Sequence, residues 1–163
     1  MNTLKMKFTQ IIAIAAITIF SSTAVVAQDA KTIVADYLAS WNAHDATATA
    51  NKLDENVRYY DAALDQTYIG RAAAKKNIIE SFMNAVPNYY WNVVGFPVIE
   101  GNQVTFEWVM GGKNTGTWAD GTKGKGKTWR IVGMSSFTIE DGHIVQQSDY
   151  YNALSFYKQL DLL

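Results

Sequence analysis

The sequence predicts an α+β fold, with helices packed on one face of a curved sheet. Two observations carry this. Apolar residues recur at three- and four-residue spacings through the first half of the chain, then at a spacing of two from Tyr89 onward. Turn signals cut the second half into short stretches joined by tight connections, which makes neighbouring strands antiparallel. Helices first and strands last is the order of an α+β fold, not of an alternating parallel one.

The elements come after a leader. Lys5 and Lys7 form a positive start, residues 11–20 are an apolar run, and Ser21, Ser22 and Thr23 lead into Val25, Val26 and Ala27. This is the pattern of a secretory signal peptide over residues 1–27, cleaved after Ala27. The apolar run is short of the about 20 residues a membrane span needs. The expectation is a secreted or periplasmic protein with no membrane association once the leader is removed. Residues 28–163 then form one domain, long enough for a real core. The chain has no cysteine, so packing must hold a domain whose compartment would permit disulfides. A formal net charge of −1 offers nothing for nucleic acid or an anionic membrane.

Asp29 can cap a first helix reaching about Ala43, with Ile33, Val34, Tyr37, Leu38 and Trp41 on one face. Asp45 can cap a second, short one to about Leu53. Residues 57–61 read as a strand. Gly70 opens an Ala-rich helix over residues 71–85, with Ile78, Ile79, Phe82 and Met83 as its buried stripe, and Pro87 stops it. Residues 89–99 form a strand with an irregularity at Gly95 and Pro97. Val104, Phe106, Trp108 and Met110 share one face of the next strand. A Gly/Lys-rich connection comes next, read as a long flexible loop, then a strand over residues 129–139. Asp141-Gly142 makes a hairpin turn, residues 144–151 a last strand, and residues 153–160 a short amphipathic helix.

Asp149 is the most informative residue. A carboxylate in a half-buried strand among aromatic neighbours is costly unless it is paired, hydrogen-bonded or wetted by a cavity, so Asp149 points to a pocket. Tyr59 and Asp61 lie two apart and face the same side of their strand. The stretches Tyr37-Leu38-Ala39-Ser40-Trp41-Asn42-Ala43-His44-Asp45, Tyr59-Tyr60-Asp61-Ala62-Ala63-Leu64, Gly70-Arg71, Asp141-Gly142-His143-Ile144-Val145 and Asp149-Tyr150-Tyr151 resemble the SnoaL-like polyketide cyclase family, of the nuclear transport factor 2-like superfamily. The resemblance spans nearly all of residues 28–163.

The resemblance implies a cone: a strongly curved antiparallel sheet packed on three N-terminal helices, with an apolar pocket at its open end. By the same resemblance Asp149 matches the acid/base aspartate of SnoaL-like cyclases and of limonene epoxide hydrolase, and Tyr59 and Asp61 match pocket positions. The arginine and second aspartate that the epoxide hydrolase needs are replaced by Trp108 and Met110, so epoxide hydrolysis is not expected. The family hosts cyclases, isomerases, hydrolases and dehydratases, so membership alone names no reaction.

A carboxyl walled by aromatics titrates upward toward a useful range. Asp149 would then move a proton next to a carbonyl, Tyr59 would donate to a developing oxyanion, and Asp61 would share a proton with Asp149. Trp41, Trp108, Met110 and Tyr151 are candidates for an apolar wall, and Trp118 for a lid at the pocket mouth. The bland alternatives are a structural Asp149 bonded to backbone or Tyr59, and plain core for the aromatics. His44 and His143 sit in turns, His143 exposed, without partners at ligand spacing, so neither a metal nor another cofactor is expected. Residues 121–128 spell the phosphate-loop pattern G-x-x-x-x-G-K-[ST], but residues 129–132 read as strand, and that loop works only at a helix N-terminus.

Two functions stay open. One is cofactor-free acid–base catalysis of isomerase, cyclase or lyase type on a small apolar carbonyl compound. The other is a non-catalytic module that holds a hydrophobic ligand or forms a homodimer through its sheet.

Overall fold

The computed structural model describes residues 29–163, so the expected signal peptide lies outside the described residues. Helix α1 covers residues 29–42 and buries Ala30, Val34, Tyr37 and Trp41. Those positions recur every three or four residues, so one stripe meets the core. His44, at φ 56°, ends the helix in the left-handed region. Asp45 then caps α2 (Ala46–Asn51): its Oδ1 accepts from the backbone N–H groups of Thr47 and Ala48 at 3.0 and 2.8 Å.

Strand β1 (Leu53–Asp61) starts four residues before the expected stretch and turns into β2 (Gln66–Ile69), an edge strand the apolar pattern did not announce. Gly70, at φ 92°, sets the entry into α3 (Arg71–Ala74). The helix widens into a π segment (Lys75–Glu80) and continues as α4 (Ser81–Ala85). Strands β3 (Tyr90–Glu100), β4 (Gln103–Asn114), β5 (Lys127–Glu140) and β6 (His143–Tyr151) form a meander, and α5 (Ala153–Leu160) closes the chain.

The six strands lie in the order β2-β1-β6-β5-β4-β3 in one curved, unclosed sheet. Pairing is antiparallel except between β1 and β6, which run parallel. The chain leaves β1 into β2 on one flank, and the other flank is filled only by the last strand. The β3–β4 register shifts between Val94 and Val98, where Gly95 and Pro97 interrupt the ladder. Asp141 and Gly142 both have positive φ, 46° and 78°, as a two-residue hairpin with the sheet's twist requires.

The core fills the concave face. Val104, Phe106, Trp108 and Met110 all point inward from β4, as their alternation predicts. Tyr37, Trp41, Trp91, Phe106 and Phe137 pack edge-on, tilted or stacked at centroid distances between 5.4 and 6.5 Å. Each such ring withdraws enough apolar area to contribute roughly 2–3 kcal/mol, which is how a chain without cysteine holds together.

The connection from β4 to β5 is not the free loop its composition suggests. Gly116 N–H donates to the Ala85 carbonyl at 3.0 Å, and Asn114 Nδ2 donates to the same oxygen at 2.8 Å. Ala119 N–H donates to Ser81 Oγ at 3.0 Å. A Cβ on Gly116 would lie 1.8 Å from the Asn84 carbonyl oxygen, so only glycine allows this approach. The segment with the phosphate-loop pattern leads into β5, not into a helix.

Candidate functional site

Asp149 lies on β6 between two neighbours in register, Asp61 on β1 and Ser135 on β5. It is 7 % exposed. Its Oδ2 accepts the Tyr59 hydroxyl at 2.5 Å, and its Oδ1 accepts the Ser135 hydroxyl at 2.6 Å. Gln147 Nε2 lies 3.1 and 3.0 Å from the two oxygens and 2.9 Å from the Tyr59 oxygen. Ser135 in turn accepts the Trp108 indole N–H at 2.8 Å. Burial pushes the Asp149 carboxyl up to about 6, even though Ser135, Tyr59 and Gln147 all favour its charged form. Burial and the adjacent Asp149 drive the Tyr59 hydroxyl well above its usual range, so it remains a donor.

Asp61 ends β1. Its Oδ1 accepts the backbone N–H groups of Ala63 and Leu64 at 2.9 and 3.2 Å, an Asx turn that leads the chain away from the sheet. Its Oδ2 accepts the Tyr151 hydroxyl at 3.2 Å. Burial raises this carboxyl too, against the backbone donors and Tyr151 that lower it. Among the described residues, no hydrogen bond joins the Asp61 and Asp149 carboxyls; each is satisfied by its own donors.

A cleft of about 370 Å³ opens over Asp61 and Tyr151. Its walls come from the turn after β1, β2, the π segment and α4, the β4–β5 connection, the end of β6, and α5 with the residues after it. Trp118 of the connection packs between Phe82 and Phe156 at 5.6 and 6.0 Å. Its indole N–H is buried without a hydrogen-bond partner. The π segment turns Asn77 and Ile78 to the cleft and α4 turns Ser81 and Phe82, a use of a widened helical turn often met at functional sites.

The expected site residues separate into two layers. Asp61, Tyr151 and Trp118 line the cleft. Asp149 and Tyr59 lie outside its lining, in a buried hydrogen-bond network where Gln147 Oε1 is left without a partner. Trp41, Trp108 and Met110 are core: Trp41 sits among Tyr37, Phe82, Tyr89 and Trp91, and Trp108 spends its indole N–H on Ser135. They are not among the residues lining this cleft: Phe82, Tyr89 and Trp91 enclose Trp41, and Trp91 and Tyr151 pack on Trp108. Sequence reasoning did not single out Gln147, Ser135, Tyr68 or Tyr157. Gln147 had a signal, since it lies two residues from Asp149 on the same strand face; Tyr68 and Tyr157 had none, being brought in by β2 and α5.

The histidines are structural. His44 stacks on Tyr89 at 4.3 Å with Nε2 3.1 Å from the Tyr89 carbonyl oxygen. His143 is half-buried, not exposed as expected, because its Nδ1 turns back to the Asp141 carbonyl at 3.0 Å. No cluster of three or more metal-ligating side chains occurs among the described residues, and none of their helices is long and apolar enough to cross a membrane.

Comparison with known proteins matches this geometry to a family. The model of the SnoaL-like domain matches residues 34–147. A candidate polyketide cyclase from Xanthomonas campestris pv. campestris is 28% identical, with 82% of this chain and 98% of that chain covered and a TM-score of 0.66. A candidate SnoaL-like polyketide cyclase from Jannaschia sp. superposes with a TM-score of 0.74 at 14% identity, over 85% of this chain and 95% of that one. A candidate polyketide cyclase from Pseudomonas putida gives 0.64 at 23% identity, over 80% and 97%. No curated protein matches. With its curved α+β sheet and a family match over most of its length, the chain belongs to the SnoaL-like domain family.

Proposed function

We propose that the protein is a cofactor-free acid–base catalyst of the isomerase, cyclase or lyase type, acting on a small carbonyl compound held in the cleft. The observation that carries this is the pair of buried carboxyls on adjacent strands, one lining the cleft and one outside its lining. The proton-moving role first expected at Asp149 passes to Asp61. Asp61 touches the cleft, whereas every Asp149 oxygen is already taken by Tyr59, Ser135 or Gln147. Asp61 would take the proton from a carbon beside the carbonyl and return it at another position. Asp149 and Tyr59 would act as positioning residues, holding β1 and β6 in register below Asp61.

The test is proton–deuteron exchange in a panel of small cyclic ketones, followed by NMR with the purified protein in deuterated buffer. Exchange that is lost in Asp61→Asn and retained in Tyr59→Phe supports the reading. No exchange above buffer across the panel, together with recovery of an unchanged apolar compound from the native protein, would favour a non-catalytic carrier.

Two further parts of the reading rest on separate observations. Export is supported by residues 1–27; N-terminal sequencing of protein from the exporting cell should begin at Gln28. A homodimer through the outer sheet face is supported by Val94, Val132, Met134 and Tyr150, exposed apolar and aromatic side chains that together line a shallow groove there. Sedimentation of the wild type as a dimer, and of Val132→Glu/Met134→Glu as a monomer, is the expected outcome.

A further inference from the structure

The cleft has an unusual balance of charge and rings. Tyr68, Phe82, Trp118, Tyr151, Phe156 and Tyr157 surround it. Two carboxylates reach it, Asp61 at the floor and Asp120 in the connection. No lysine, arginine or histidine is among its lining residues. The two carboxylates differ in what holds them. Asp120 is exposed, and its Oδ1 accepts the Thr122 N–H at 2.8 Å, which keeps its carboxyl below the ordinary value and therefore charged. Asp61 is buried and its charge is opposed by desolvation, with only backbone donors and Tyr151 to offset it. Tyr157 lines the cleft with them, and burial first, then the charges of Asp61 and Asp120, push its hydroxyl up.

An electron-rich box of this kind repels anions and leaves Asp61 without a positive partner among the described residues. A ligand that brings a positive charge relieves that deficit. If its charge is spread over alkyl groups, it also makes favourable contact with ring faces while still burying apolar surface. A bare metal ion fits poorly, since the lining offers aromatic faces where a metal would need a ring of oxygen or nitrogen ligands.

We propose that the cleft selects a small organic cation, an alkylated amine or quaternary ammonium, with Asp120 and Asp61 facing the charge and the aromatic side chains facing its alkyl groups. The inference rests on the reading of this cleft as the ligand site, and it narrows the carbonyl substrate to one that also carries such a group. Asp61 is held charged by the ligand it acts on.

The test is titration of the full domain with choline, with its neutral isostere 3,3-dimethylbutan-1-ol, and with the anion 3,3-dimethylbutanoate, read by tryptophan fluorescence and by calorimetry. The expected result is choline binding at least about tenfold tighter than the neutral isostere, a margin within reach of one desolvated cation–π contact beside a carboxylate, and no measurable binding of the anion. Asp120→Asn keeps the oxygen that accepts from Thr122 and should cut the preference to less than about threefold while leaving affinity for the neutral alcohol unchanged. Equal affinity for choline and the alcohol overturns the inference and leaves the cleft as a ligand site. Binding of the anion, or of none of the three, also overturns it. The ketone exchange assay is read separately, so loss of the cation preference and loss of the catalytic reading are distinguishable.

Discussion

Asp61 and Asp149 are register partners across the parallel β1–β6 ladder, yet their carboxyls lie in different environments. Asp149 is enclosed by Tyr59, Ser135 and Gln147, while Asp61 faces the cleft beside Tyr151. Burial raises both. Two groups with the same chemistry and similar burial thereby have different surroundings, and of the two only Asp61 lines the cleft.

The buried member makes stability depend on pH. The Asp149 carboxyl moves from an ordinary value of 3.8 to about 6 in the fold, so folding favours its protonated form. Its stabilising contribution is complete below about pH 4 and is lost as pH rises through about 6, with a span of about 3 kcal/mol. The difference in unfolding free energy between wild type and Asp149→Asn, followed by urea titration from pH 4 to 8, should fall with rising pH. A difference that stays flat over that range would place Asp149 at its ordinary value.

Tyr59→Phe removes the shortest hydrogen bond to Asp149 and leaves the Gln147 amide without one of its acceptors. A hydrogen bond to a charged group is worth about 1.5–3 kcal/mol. Carbon-13 NMR of the carboxyl should therefore show Asp149 titrating about one to two pH units higher in the variant. Catalysis by Asp61 should survive, slowed less than about tenfold, because Tyr59 does not reach the cleft.

Asp61→Asn should slow proton transfer by about a hundredfold or more. The fold should tolerate it, since the amide oxygen can still accept from Ala63 and Leu64. Circular dichroism and the thermal midpoint should stay near those of the wild type while exchange is lost. A proportional loss of both would make Asp61 a turn residue and nothing more.

Gly116→Ala tests the anchoring of the β4–β5 connection. The new Cβ would fall on the Asn84 carbonyl oxygen, backbone on backbone, with no flexible side chain to give way. The expected cost is about 1–3 kcal/mol in thermal or urea unfolding. Trp118, two residues further along the chain, should lose its place between Phe82 and Phe156, seen as a red-shifted emission and weaker ligand binding.

Much of the scaffold could be read locally. The Asp45 cap, the break at Gly95 and Pro97, the Asp141-Gly142 turn and the inward set Val104, Phe106, Trp108 and Met110 are each decided by neighbouring residues, and each stands where it was expected. The edge strand β2 was not legible, because its residues are exposed or half-exposed and carry no alternation of burial. The tethering of residues 115–126 was hidden too, because Gly- and Lys-rich composition reads as free loop until Ala85 and Ser81 are placed beneath it.

From the sequence alone came the family, the α+β order of elements and the inward direction of Asp149, Tyr59 and Asp61, since alternation along a strand is a local, two-residue property. Depth was decided only by the tertiary structure. Whether an inward side chain ends in sealed core or at an open wall depends on what is laid over it, and here the covering pieces come from the π segment, residues 115–126 and α5, distant in the chain. Trp41, Trp108 and Met110 end in the core and Asp149 in a buried hydrogen-bond network, while Asp61, Tyr151 and Trp118 line the cleft.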